Sequence, residues 1–72
     1  MNVATDCQIE VNGRKLVMPN DCTVANLLQR LEIHSGAIAV ELNGEILPKH
    51  DFSATVLRSG DRVEVVSLVG GG

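Results

Sequence analysis

Apolar and polar residues alternate near the start of the chain. Cys7, Ile9 and Val11 fall on one face and Gln8 and Glu10 on the other, the period of two that marks a half-buried strand. Asn12-Gly13 follows at once. That dipeptide accepts positive φ at both central positions of a type I′ turn, so Arg14 to Met18 is predicted to fold back antiparallel with Leu16 and Met18 inward. Pro19-Asn20-Asp21 then breaks the strand, and the period changes. Val24, Leu27, Leu28 and Leu31 recur at i, i+3, i+4 and i+7, the stripe of a short amphipathic helix with Asn26, Gln29 and Arg30 turned away. Thr23 stands where its hydroxyl can accept from a free amide of the first helical turn. His34-Ser35-Gly36 is expected to end the helix, with Gly36 in the left-handed position that closes a last turn.

Ile38 to Leu42 is a second alternating strand, Asn43-Gly44 a second tight turn, and Glu45-Ile46-Leu47 the return, stopped by Pro48. Lys49 to Leu57 is irregular, with Phe52, the one aromatic residue, expected to plug the bottom of the core. Arg58-Ser59-Gly60-Asp61 reads as a turn and Arg62 to Leu68 as the final strand. Its Val-rich run, flanked by turn signals, marks it as the centre of the sheet. The strand holds a break in phase: Val63 and Val65 point inward, but continued alternation puts Ser67 inward and Val66 and Leu68 outward. Either a bulge resets the register, or the strand finishes with an apolar outer face that leaves Val66 and Leu68 as a small docking patch. Hairpin, helix, hairpin, irregular segment and strand together predict an α+β roll, a mixed sheet crossed by one main helix.

Composition narrows what such a fold can do. The chain has 72 residues, enough for one domain, whose core is expected to supply roughly 3 to 5 kcal/mol of net stability and leaves no room for a deep enzyme cleft. The net charge is −3, and of the six basic residues only Arg14 and Lys15 are adjacent, which argues against nucleic acid as the main partner. No apolar stretch approaches the ~20 residues needed to span a membrane. Nothing at the N-terminus reads as a secretory signal, so a reducing cytoplasm is the expected location. Two cysteines and two histidines in no ligand-like spacing predict no metal. Cys7, in phase with Ile9 and Val11, reads as a packed structural thiol. Cys22 precedes the helix, where the macrodipole can lower a thiol pKa. His34 and His50 are expected in solvent, and Asp51 beside His50 is expected to point away from it. Glu10, Glu41, Glu45 and Glu64 are expected on the wet face of the sheet, with an acidic docking surface as the other reading.

The remaining stretch is Val69-Gly70-Gly71-Gly72. By itself it fits a frayed or appended end as well as it fits a thin tail that enters a partner and presents the Gly72 carboxylate. The residues around it decide between the two. Thr23-Val24 through Leu27-Leu28, the run Ala39-Val40-Glu41-Leu42-Asn43-Gly44-Glu45-Ile46-Leu47-Pro48, Gly60-Asp61-Arg62-Val63-Glu64 and the glycine ending resemble the ThiS-type sulfur carriers of thiamine biosynthesis, in the MoaD/ThiS superfamily. The resemblance covers about nine-tenths of the chain. It implies a ubiquitin-like β-grasp domain, residues 1–68, followed by a flexible glycine tail, residues 69–72.

The resemblance also implies a protein cosubstrate rather than an enzyme. An E1-like adenylyltransferase (ThiF-type) would use MgATP to make an acyl-adenylate of Gly72. A persulfide donor would convert this to a thiocarboxylate, and thiazole synthase (ThiG-type) would take the sulfur. Val69, Gly70 and Gly71 would enter the partner, and the carrier itself would bind no cofactor. The molybdopterin-synthase small subunit, which also resembles this chain in fold and ending, and a β-grasp interaction module without acyl chemistry are the alternatives. A ferredoxin-like electron carrier is excluded by the cysteine count.

Overall fold

The computed structural model describes residues 6–34 and 36–68. Two hairpins form where the Asn-Gly pairs predict them. Strand β1 (Asp6–Val11) returns as β2 (Arg14–Pro19), and β3 (Ile38–Leu42) returns as β4 (Glu45–Leu47). Asn12 and Gly13 take φ of 49° and 85°, and Asn43 and Gly44 take 53° and 89°, the left-handed pair that matches the twist of the flanking strands. Pro19 is the last residue of β2, paired with Asp6, rather than the first residue beyond it. A proline is tolerated there because β2 lies at the sheet edge.

The final strand, β5 (Arg62–Ser67), enters between the two hairpins and gives a five-stranded mixed sheet in the order β2-β1-β5-β3-β4. It runs parallel to β1 and antiparallel to β3. Its central place is the one predicted, and Val63 at its heart has no exposed surface. The register with β3 runs unbroken from Leu42–Val63 to Ile38–Ser67, so no bulge resets the phase and the outward-facing alternative holds.

Helix α1 (Val24–Arg30) contributes Val24, Leu27 and Leu28 to the same core as Cys7, Ile9, Val11, Met18, Val40 and Val63 of the sheet. Thr23 caps it as expected, and the cap is reciprocal. The Asn26 amide donates to Thr23 Oγ1 (3.1 Å) while Thr23 N–H donates to Asn26 Oδ1 (2.9 Å). The irregular return segment contains a single turn of 3-10 helix, Lys49–Asp51, and buries Phe52 and Leu57. It docks on the start of α1, where the Val24 and Ala25 amides donate to Thr55 and Phe52 carbonyls, each at 3.0 Å. No helix among the described residues is long and apolar enough to cross a membrane.

The helix does not close at Gly36. Glu32 takes the left-handed position at φ 60°; its N–H donates to the Gln29 carbonyl (3.0 Å) and that of Ile33 to the Leu28 carbonyl (2.9 Å). These are the two bonds of a Schellman ending. The apolar stripe is complete at Leu31, so the chain must turn at residue 32 with whatever residue stands there. Gly36 instead lies against Lys49, whose Nζ donates to its carbonyl at 3.2 Å.

A glutamate at a position that favours glycine predicts a measurable strain. Replacing Glu32 with Gly should stabilise the domain by about 0.5 to 1 kcal/mol, since the relief of the left-handed penalty exceeds the entropy that glycine adds to the unfolded chain. Urea unfolding checks this, with an unchanged far-ultraviolet circular dichroism spectrum as the control for the fold.

Candidate functional site

The Gly72 carboxylate and the Val69, Gly70 and Gly71 approach to it lie outside the described residues, as does the division of the chain into a domain and a tail. What the structure describes is the platform that leads to them. Three polar residues in turns hold β5 to that platform. Asn12 N–H donates to the Val63 carbonyl (2.9 Å). Its side chain then takes over from the β1 ladder, which stops at the Val11–Val63 pair: Oδ1 accepts from Val65 N–H (2.8 Å) and Nδ2 donates to the Val65 carbonyl (3.3 Å). The primary amide thus imitates one more residue of strand.

Asn43 does the same on the other flank. Its N–H donates to the Arg62 carbonyl (2.7 Å) and its Oδ1 accepts from Arg62 N–H (2.9 Å). Its Nδ2 reaches Asp61 Oδ1 (3.0 Å), while Asp61 Oδ2 accepts from Arg58 N–H (2.8 Å) and closes the turn into β5. At the far end Leu68 N–H donates to the Ala37 carbonyl (2.8 Å) and carries the antiparallel ladder to the last described residue. Sequence reasoning saw both asparagines only as turn formers. Their second task depends on β5, 53 positions from Asn12 and 19 from Asn43, which no local pattern marks.

The outer face of the sheet is graded along β5. At the turn end, Lys15, Glu10 and Arg62 lie in one row across β2, β1 and β5, with charges alternating. The next row sets Glu64 directly opposite Glu41, with Ile46 of β4 opposite Glu41 on its other side. The row beyond pairs Val66 with Ala39. Val66 is 50 % exposed, Leu68 65 % and Ile46 72 %. Val66 and Leu68 are thus exposed on the outer face, as the unbroken register requires, and Ile46 is exposed on β4 in the Glu41–Glu64 row.

The thiols and histidines fall elsewhere. Cys7 is buried as expected, and Cys22 is buried as well; both are free. The Cys22 thiol is pushed up from its ordinary pKa, first by burial and then by the neighbouring Cys7 thiol, so the lowering expected from its place before α1 does not occur. The first-turn amides, for their part, donate to the Thr55 and Phe52 carbonyls and to Thr23 Oγ1. His50 does not point away from Asp51: Nε2 lies 3.6 Å from Oδ1. The pair is exposed, and among the described residues no third charged group joins it. Among the described residues no three His, Cys, Asp or Glu side chains gather as a metal ion would require.

The domain matches the model of the ThiS family over residues 4–72. The crystal structure of the thiamine biosynthesis protein ThiS from Geobacter metallireducens superimposes with a TM-score of 0.77, at 35 % identity over 90 % of this chain and 99 % of that one. The sulfur carrier protein ThiS of Bacillus subtilis is 31 % identical over 89 % of this chain and 98 % of its own. A thiazole synthase of Paramagnetospirillum magneticum is 35 % identical over 90 % of this chain, which spans 20 % of that longer protein.

Two outcomes are expected from this geometry. Replacing Asn12 with Gly keeps the positive φ but removes both side-chain bonds, so the Val65 amide should exchange with deuterium about five- to thirtyfold faster, a loss of roughly 1 to 2 kcal/mol of local protection. The Ile9 amide in β1 is the internal reference. Cys22, held protonated, should react with a thiol reagent at neutral pH many times more slowly in the folded protein than in urea. A fast folded-state reaction would contradict the burial argument.

Proposed function

The chain belongs to the ThiS family of sulfur carriers, and from that premise we propose that it carries sulfur as a thiocarboxylate on Gly72 for thiazole formation in thiamine biosynthesis. A carboxylate is a poor electrophile because its charge is delocalised and oxide is a poor leaving group. An E1-like adenylyltransferase (ThiF-type) overcomes this with MgATP: a Gly72 oxygen attacks the α-phosphorus, pyrophosphate departs, and the acyl-adenylate now has AMP as its leaving group. The terminal sulfur of a persulfide donor attacks the acyl carbon and expels AMP. A thiol then cleaves the remaining S–S bond, which leaves the thiocarboxylate and a disulfide. Thiazole synthase (ThiG-type) receives the sulfur, and Gly72 returns as a carboxylate.

The observation that carries this reading is the family match that runs through Gly72. It gains support from the platform, in which the strand leading to the tail is central in the sheet and ends in exposed Val66 and Leu68. A segment like this chain inside a thiazole synthase supports that enzyme as the acceptor. Val69, Gly70 and Gly71 supply a stretch thin enough for a partner's slot, since three glycines following one valine present no large side chain. The carrier works on the partners' catalytic groups and is itself no enzyme, and the exchange takes place in the cytoplasm.

Intact mass after incubation with the adenylyltransferase, MgATP and a persulfide donor is the direct test. The native chain should gain the mass difference of one oxygen replaced by sulfur, localised to the C-terminal peptide. Adding one residue after Gly72 should abolish loading while leaving the thermal unfolding curve unchanged. Cys22→Ser should load normally. Efficient loading of the extended chain would falsify the Gly72 assignment. Transfer to the molybdopterin-synthase large subunit but not to thiazole synthase would keep the chemistry and move the protein to the other pathway. Binding of partners without any loading would leave an interaction module.

A further inference from the structure

Two thiols that the proposed chemistry leaves unused are brought together from separate parts of the chain. Cys7 packs into the core from β1, opposite Met18 of β2, and Cys22 joins the same core from between β2 and α1, just past the turn at Asn20-Asp21. Both are free and buried, and they lie close enough to share a hydrogen bond. Cys7 Sγ also lies 4.0 Å from the Pro19 carbonyl, so it faces the segment that carries Cys22. The two thiols differ in access. Cys22 lines a surface groove of about 410 Å³ between the end of β2 and α1, with Met18 beside it, and Cys7 does not line it. Exposure follows the same order, 6 % for Cys22 and 2 % for Cys7. An outer thiol with a second thiol behind it is what thiol–disulfide exchange requires: one sulfur to take the incoming group and one to displace it. The S–S bond needs the two sulfurs to draw in to about 2 Å. That movement falls on the turn beyond Pro19, outside the paired register of β2.

The groove wall narrows the choice of reagent. Arg30 and Asp21 stand on it with opposite charges, and the Arg30 guanidinium is held there by donating from Nη1 to Met18 Sδ (3.9 Å). A cystine-like molecule carries an ammonium and a carboxylate on each side of its S–S bond, the complementary pair of charges. We propose that Cys22 and Cys7 form a redox-modification site, which a small zwitterionic disulfide of the cystine class reaches through the groove and converts to a Cys7–Cys22 disulfide. In the first step Cys22 Sγ, as thiolate, attacks one sulfur of the small disulfide. A mixed disulfide forms on Cys22, and one small thiol leaves with a proton. Cys7 Sγ then attacks Cys22 Sγ, the protein disulfide forms and the second small thiol leaves with the other proton. Two electrons pass from the protein pair to the small disulfide, so the exchange balances. The first step is slow because burial holds Cys22 protonated, and the second is fast because the reacting sulfurs are already neighbours. The new bond ties β1 to the approach to α1 and spares Gly72, so this site is independent of sulfur loading.

The test incubates the reduced whole chain with cystine, alkylates whatever thiol remains after unfolding, and reads intact and peptide masses. The native chain should lose the mass of two hydrogens, with both cysteines protected from alkylation and no dimer formed. Its midpoint of thermal unfolding should rise by about 10 °C, because the bond closes a loop in the unfolded chain, and dithiothreitol should reverse the shift. Cys7→Ala should stop at one cysteinyl group on Cys22, and Cys22→Ala should leave Cys7 unreacted, with circular dichroism as the check on folding. Arg30→Gln should slow the reaction with cystine several-fold and leave the reaction with uncharged hydroxyethyl disulfide unchanged. Native thiols that both stay open to alkylation overturn the site, as do a disulfide between two chains and cysteinyl groups on both cysteines. These native-chain results decide it whether or not a variant folds. Cysteinylation of Cys7 in Cys22→Ala overturns the groove as the entry. An Arg30→Gln rate that is unchanged with cystine, or slowed equally with both reagents, overturns the zwitterionic class.

Discussion

The hold on β5 is the constraint from which the rest follows. A central strand between a parallel and an antiparallel neighbour needs partners on both edges along its length, and β1 stops alongside Val63. Asn12 fills the next position with its side chain, and Asn43 secures the other flank at Arg62. Each hairpin turn therefore does two things with one residue: its backbone supplies the left-handed angle, and its side-chain oxygen accepts from a β5 amide, Val65 N–H at Asn12 and Arg62 N–H at Asn43. Asparagine is suited to both, because it tolerates positive φ and carries a donor and an acceptor on one planar group. Asp at either position would keep the angle and lose the donor.

This arrangement explains which parts of the protein were legible in the sequence. The strands, the helix and the tight turns rest on periodicities of two and 3.6 and on turn chemistry, all of which act over a few residues. The central place of β5 was legible from its Val-rich run between turn signals, although only the face that carries Val63 and Val65 turns inward. The role of Asn12 toward Val65 was not, since it is written in a contact 53 positions apart. Glu32 was missed for a different reason. Chain entry to β3 requires the helix to end where its apolar stripe ends, and the left-handed residue is chosen by that geometry rather than by local preference. Gly36, the residue that preference selects, lies four positions too late.

Cys22 shows the same competition at the level of a functional group. Proximity to a helix start suggested a lowered thiol pKa, but burial, and after it the Cys7 thiol, raises it instead. The return segment packed on α1, held by the Val24 and Ala25 amides, completes the core in which the thiol is buried.

A core of this size leaves little latitude for chemistry inside it. Among the described residues no polar or charged side chain other than the two thiols is buried. An unpaired buried hydroxyl or amide costs roughly 1 to 3 kcal/mol by mutational measure, a large share of the few kcal/mol that a domain of about seventy residues has in hand. A catalytic pocket would need several such groups, each with a second group to orient it. The proposed carrier role, which would lend a single reactive carbon and leave acids, bases and nucleotide to partners, makes no such demand on the core. Its specificity must then lie on the surface, where charges are solvated and cost the fold little. The outer face of the sheet, graded from a row of alternating charges to exposed Val66 and Leu68, is where that requirement can be met.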